Sequence, residues 1–229
     1  MLDNKVPPAT IVFDLDGTLV DTAPDLIGAL NHVLVHLGRP PLPMGDIRKV
    51  VGQGAAAMIE RGMALTGGMP ANTAPQDLLA LFLDHYSAHL SAQSRPFDGV
   101  TASLDHLAAL GHRMAVCTNK PAALAKRLIN DLALDRYFDV ILGGDSLAVR
   151  KPDPTHLIET IRQAGGHPAY AIMVGDSPPD IGAAKAANVP AIAVSFGYSL
   201  VAAVDLGADR LIHHFNQLPT AVTELLARD

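Results

Sequence analysis

The chain has 229 residues, 49% of them hydrophobic and 17% charged, enough for one large packed domain with a smaller insert, and too apolar for a disordered chain. A formal net charge of -6, no Trp and only 4% aromatics exclude a general nucleic-acid field, a base-stacking surface and attraction to acidic membranes. Any anionic ligand must be held by a few local groups. The single cysteine, Cys117, excludes an internal disulfide and fits a reducing, cytoplasmic setting. Met1 to Ala9 reads as neither a secretory signal nor an anchor, and no later run is long enough to span a bilayer.

Thr10–Phe13 is the first β-rich run, and it leads into Asp14-Leu15-Asp16-Gly17-Thr18. From Ala23 to about Pro96 only helical patterns follow. Leu26, Leu30, Val33, Leu34 and Leu37 form one apolar stripe, and Leu78, Leu79, Phe82, Leu83, Tyr86 and Leu90 another. A helical block inserted after the first strand predicts a second small domain, with linkers near Val20–Ala23 and Arg95–Gly99.

Strands and helices then alternate. A helix is expected over Thr101–Leu110, a strand over Arg113–Cys117 entering Thr118-Asn119-Lys120, and a helix over Pro121–Leu132. A strand at Asp139–Leu142 precedes Lys151-Pro152-Asp153-Pro154 and a helix to Ala164. The next strand, Ala171–Val174, runs into Gly175-Asp176-Ser177, with Asp180 close behind. A helix over Pro179–Ala187, a strand over Pro190–Val194 and a closing helix over Pro219–Ala227 complete the chain. Apolar strands separated by helices indicate a parallel sheet covered on both faces.

Ligands of such sheets gather at the carboxyl ends of the strands, and polar residues stand at several of those ends here. Asp14 and Asp16 alternate past the first strand, so their side chains can start on one side of the loop. Two carboxylates that close, with Asp176 as a third, call for a cation; all-oxygen ligands favour a hard one, magnesium beside phosphate. Lys151 adds positive charge and Thr118 a hydroxyl, which together make a socket for a phosphate dianion. Singly, each residue reads as a cap, a turn former or a solvated charge. Their recurrence at successive strand ends is what marks a site. Cys117, in an apolar run, reads as a core thiol.

Phe13-Asp14-Leu15-Asp16-Gly17-Thr18-Leu19-Val20-Asp21, then Thr118-Asn119, Lys151-Pro152 and Gly175-Asp176-Ser177-Pro178-Pro179-Asp180, resemble the four ordered motifs of the haloacid dehalogenase superfamily. The resemblance covers nearly the whole chain. It implies a doubly wound, Rossmann-like α/β core over residues 1–20 and 97–229, and an all-helical cap over 21–96. It also implies that Asp14 attacks phosphorus, and that Asp16 serves as general acid and then base while lending its backbone carbonyl to Mg2+. Asp176 would complete the metal site, so Asp14, Asp16 and Asp176 are the expected metal residues. Ser177 and Asp180 would support them, Asp180 by orienting Lys151 or metal-bound water. Thr118 and the Asn119 N–H would hold phosphate oxygens, with Gly17 and Thr18 beside the substrate. A carboxylate at position 16 points to phosphoryl transfer rather than dehalogenation.

Within the superfamily the chain is most similar to bacterial phosphatases of the phosphoglycolate type. That likeness rests on Asp21-Thr22-Ala23-Pro24-Asp25-Leu26, Val51-Gly52-Gln53-Gly54, Thr118-Asn119-Lys120-Pro121 and Phe196-Gly197-Tyr198. A small phosphorylated metabolite is the expected partner, with Arg48 and the Gly52-Gln53-Gly54 backbone as candidates for a second anionic group. The oligomeric state stays open. So do other small phosphate esters, a mutase, a phosphonate hydrolase using Lys49, and a non-catalytic phospholigand-binding regulator.

Overall fold

The computed structural model describes residues 8–46, 50–51, 54–71 and 73–227. Its main sheet has six strands in the order β5-β4-β1-β6-β7-β8, every pair parallel. These are β1 (Thr10–Phe13), β4 (Arg113–Cys117), β5 (Val140–Leu142), β6 (Ala171–Gly175), β7 (Ala191–Val194) and β8 (Arg210–Ile212). β1 lies between β4 and β6, with Phe13 level with Val116 on one side and Val174 on the other. The three strands that lead into the first, second and fourth motifs are therefore adjacent, and their carboxyl ends stop side by side.

Strand alternation divides the core into two layers. Ile11, Phe13, Val116, Ile172, Val174, Ile192 and Val194 share one apolar cluster with α4 (Val100–Ala109), α5 (Ala122–Asp131) and α8 (Leu218–Leu226). Val12, Cys117, Met173, Ala191 and Ala193 face the other way, onto α6 (Pro154–Gln163) and α7 (Pro178–Ala186). A sheet covered on both faces explains why its strands read as unbroken apolar runs rather than as alternating ones. Phe13 is fully buried and meets the Phe138 ring edge-on at 6.1 Å, and such burial contributes roughly 2–3 kcal/mol. The Asp153 carboxylate accepts a hydrogen bond from the Thr155 N–H at 2.9 Å and caps α6 just past Lys151.

Among the described residues, the helical block contains α1 (Ala23–His36), α2 (Ala55–Leu65) and α3 (Pro75–Ala88). Leu30, Val33 and Leu34 of α1 join Met58, Ile59 and Met63 of α2 and Leu78, Phe82 and Tyr86 of α3 in one buried cluster. Both linkers carry a short element absent from the sequence reading: β2 (Val20–Asp21) pairs antiparallel with β3 (Arg95–Pro96). Asp25, buried in the first turn of α1, fastens the return linker. Its carboxylate accepts the Gln93 N–H at 3.1 Å, the Ser94 N–H at 2.8 Å and the Ser94 hydroxyl at 2.6 Å.

Candidate active site

Asp14 follows β1 directly, and its N–H still donates to the Val174 carbonyl at 2.9 Å, so the nucleophile candidate is fixed by the sheet ladder. Lys151 is buried against it. Its ammonium donates to Asp14 Oδ1 at 2.8 Å and to the Cys117 carbonyl at 2.5 Å, and it lies 2.6 Å from Asp180 Oδ1. Asp180 is held in turn by Ser177, whose N–H and hydroxyl both donate to Asp180 Oδ2, at 3.0 and 2.5 Å. Ser177 and Asp180 thus act on Lys151 from the start of α7.

Asp176 ends up beside Asp14 because β6 is the neighbour of β1. The Tyr198 N–H donates to Asp176 Oδ2 at 2.8 Å. Two glycines make room for this carboxylate. A Cβ on Gly17, whose φ is +81°, would lie 2.7 Å from Asp176 Oδ2, and one on Gly197 would lie 2.3 Å from it.

Carboxylate oxygens of Asp14, Asp176 and Asp180 lie within 4.8 Å of one another. Burial pushes the Asp14 carboxyl up to about 7, with Lys151 pulling it down and Asp180 and Asp16 pushing it further up. Asp176 is pushed well up by burial, then by Asp180 and Asp14. Three buried carboxylates share one ammonium, leaving two formal negative charges in excess. An all-oxygen donor set with that excess fits a hard divalent cation.

Asp16 stands apart from this cluster. Its carboxylate accepts a hydrogen bond from the Lys120 ammonium at 2.9 Å, and the same ammonium donates to the Tyr86 hydroxyl at 2.5 Å. Lys120 was not singled out as a site residue, although it closes the Thr118-Asn119-Lys120 turn after β4. Burial alone would lower its pKa, but Asp16 and Tyr86 more than offset this and raise it. Tyr86 reaches the site from α3, a helix whose apolar stripe gave no sign of a polar task.

Thr118, Asn119, Lys120 and Tyr86 line, with Asp14, Asp16, Asp176 and Lys151, a cavity of about 290 Å³ between the sheet ends and the helical block. Asn119 also uses its side chain, donating to the Lys151 carbonyl at 3.0 Å and tying the second motif to the third. Gly54, at the start of α2, borders the same cavity. Thr18 is fully buried and does not line the cavity. The N–H groups of Leu19 and Val20 both return to the Leu15 carbonyl, and this tight turn carries Thr18 inward. Gly17 likewise lies behind Asp176 rather than on the cavity wall. Arg48, Lys49, Gly52 and Gln53 lie outside the described residues.

Residues 11–194 match the family model of haloacid dehalogenase-like hydrolases. The chain belongs to that family. Among curated members it is 45% identical over 219 residues to a phosphoglycolate phosphatase of Caulobacter vibrioides, covering 95% of this chain and 92% of that one. It is 46% identical over 215 residues to another of that name from Agrobacterium fabrum, covering 94% and 92%. The crystal structure of a predicted phosphoglycolate phosphatase from Haemophilus somnus superposes with a TM-score of 0.87 at 27% identity, covering 93% of this chain and 97% of that one. Among the described residues, no helix is long and apolar enough to cross a membrane.

Proposed function

We propose that this phosphomonoester hydrolase takes the phosphoryl group from 2-phosphoglycolate through an aspartyl-phosphate at Asp14. The observation that carries the mechanism is the pairing of Asp14 with Lys151 at 2.8 Å, beside two further buried carboxylates at the end of the central strand. The substrate reading rests on the relatives' name and on their identity across nearly the whole chain.

Asp14 attacks phosphorus with a carboxylate oxygen while the bond from phosphorus to the ester oxygen breaks. Lys151 offsets the repulsion between that carboxylate and the incoming dianion, and stabilises charge on the transferring group. Asp16 gives a proton to the departing alcohol and later takes one from the water that cleaves the acyl phosphate. Thr118, 1% exposed at the end of β4, offers its hydroxyl to a phosphoryl oxygen. Asp14 and Asp176, with the Asp16 carbonyl, would hold Mg2+, which supplies positive charge to the phosphoryl oxygens when bound. Asp180 keeps Lys151 in place from behind.

Phosphate release from a panel of small monoesters, with and without Mg2+ and alongside Asp14→Asn, tests both halves. Metal-dependent turnover that is strongest on 2-phosphoglycolate and lost in the variant is expected. A maximum on another ester would retain the mechanism and discard the substrate. Undiminished turnover by Asp14→Asn would discard the mechanism.

A further inference from the structure

Lys120 is a buried cation in the cavity that the phosphoryl machinery leaves unused. Lys151 is taken up by Asp14, Asp180 and the Cys117 carbonyl. Arg150, also on the cavity wall, is exposed. Lys120 instead places its ammonium 2.9 Å from Asp16, the group that must meet the leaving oxygen. Any atom of the substrate next to that oxygen therefore also lies next to Lys120.

In 2-phosphoglycolate one methylene separates the ester oxygen from the carboxylate. With the ester oxygen against Asp16, the carboxylate has no reach beyond the immediate surroundings of that side chain. Among the described residues, the cation found there is Lys120.

We propose that Lys120 is the receptor for the substrate's carboxylate, selecting phosphate esters of 2-hydroxy acids; this rests on the phosphomonoesterase reading above. On binding, the ammonium exchanges Asp16 Oδ1 for the incoming carboxylate and leaves that oxygen facing the ester. Tyr86 keeps the ammonium in the cavity throughout. Its ring lies under the charge, with Nζ 4.5 Å from the centroid, and its hydroxyl accepts one of the three N–H bonds. An uncharged alcohol in the same place would leave Lys120 on Asp16, and an ester with its carboxylate one carbon further away would overshoot the ammonium. Tyr86 is thus a positioning residue on the helical block for a receptor on the sheet.

The test compares 2-phosphoglycolate with ethyl phosphate, which keeps the phosphoryl group and lacks the carboxylate. In Asp14→Asn protein with Mg2+, calorimetric titration should show 2-phosphoglycolate binding weakened about 30- to 100-fold by Lys120→Met. Ethyl phosphate should change by no more than about threefold, the scale of an indirect effect. In otherwise wild-type enzyme, the ratio of kcat/KM for the two esters should collapse in the same way. Tyr86→Phe, which keeps the ring, should lower the ratio by a smaller factor of about three to ten. It serves as the second reading should Lys120→Met fold poorly. Equal losses on both esters would overturn the proposal and leave Lys120 as a support for Asp16. So would an unchanged ratio in Lys120→Met, or its collapse in Arg150→Met instead. Wild-type enzyme that binds 2-phosphoglycolate preferentially yet releases no phosphate from either ester would refute the hydrolase reading and leave the receptor standing.

Discussion

Replacing Lys151 with Met keeps the length of the side chain and removes the charge from between two carboxylates. The ammonium lies 2.8 Å from Asp14 and 2.6 Å from Asp180, and its side chain is 1% exposed. At an effective dielectric constant of about 20, each contact is a gross attraction of about 6 kcal/mol. Lysine's own desolvation offsets much of this, so breaking the arrangement should cost about 3–5 kcal/mol, mostly through carboxylates left without a counter-charge. The same change removes the main influence that draws the Asp14 pKa down, so Asp14 moves above about 7 and holds a proton in metal-free protein at neutral pH. A protonated carboxyl is a poor nucleophile. Loss of one preorganised electrostatic partner lowers kcat by about 100- to 1,000-fold. Urea denaturation at pH 7 without metal reads the first effect, and phosphate release at saturating substrate and Mg2+ reads the second. Lys151→Arg should rescue neither, because a planar fork cannot fit three acceptors arranged around a point charge. A Lys151→Met enzyme with kcat within tenfold of wild type and an unshifted midpoint would refute the reasoning (the tenfold being about 1.4 kcal/mol).

Three other outcomes follow from the packing. Gly197→Ala, whose Cβ would lie 2.3 Å from Asp176, should raise the Mg2+ concentration for half-maximal activity by at least about tenfold; an unchanged metal titration would show that Asp176 has room to move. His156 is fully buried and its pKa is lowered to about 4 by burial and then by the Lys151 charge, with the Gly143 carbonyl and Asp153 acting the other way. The unfolded chain therefore takes up the proton first, and stability falls as pH drops through 6.5 towards 4. Allowing for local relaxation, this amounts to about 2 kcal/mol. His156→Leu should flatten that slope in denaturation between pH 7 and 5, and identical slopes would contradict it. Asp25→Ala strips the Gln93 and Ser94 N–H groups of their acceptor and should cost about 2–4 kcal/mol in the same assay; a loss below about 1 kcal/mol would mean that water takes the place of the carboxylate.

The central strands were legible because burial on both faces writes them as continuous apolar runs. Their polar ends were legible because Asp14, Thr118 and Asp176 each follow such a run directly. β2, β3 and β8 went unread: two or three residues carry no periodicity, and Arg95–Pro96 looks like any linker. The partnership of Lys120 with Tyr86 was hidden for another reason. Tyr86 sits on the stripe that packs the helical block, and only its hydroxyl departs from that pattern. Which oxygen it meets depends on how α3 lies over the sheet ends, and helical spacing carries no information on that. The Tyr198 N–H on Asp176 was equally invisible, since a backbone donor has no residue type. Thr18 shows what a motif leaves out: it gives adjacency along the chain, whereas the turn at Leu15 decides which side chains face the cavity.

β1 lies between β4 and β6, yet it is synthesised long before either. Asp14 and Lys151 are 137 positions apart. While the ribosome makes the helical block, the first strand has no neighbour to pair with, although the helices behind it can already pack through local contacts. Of the six strands of the sheet, the one that leads into Asp14 is thus made first, and it has both neighbours only once β6 has been made, at the cost of closing a very long loop. Until β4 is made Thr10–Phe13 is an unpaired apolar strand, and until β6 is made it keeps one open edge, available to strands of other chains. Refolding should therefore recover helical signal well before activity, and recovery of activity should decline as protein concentration rises.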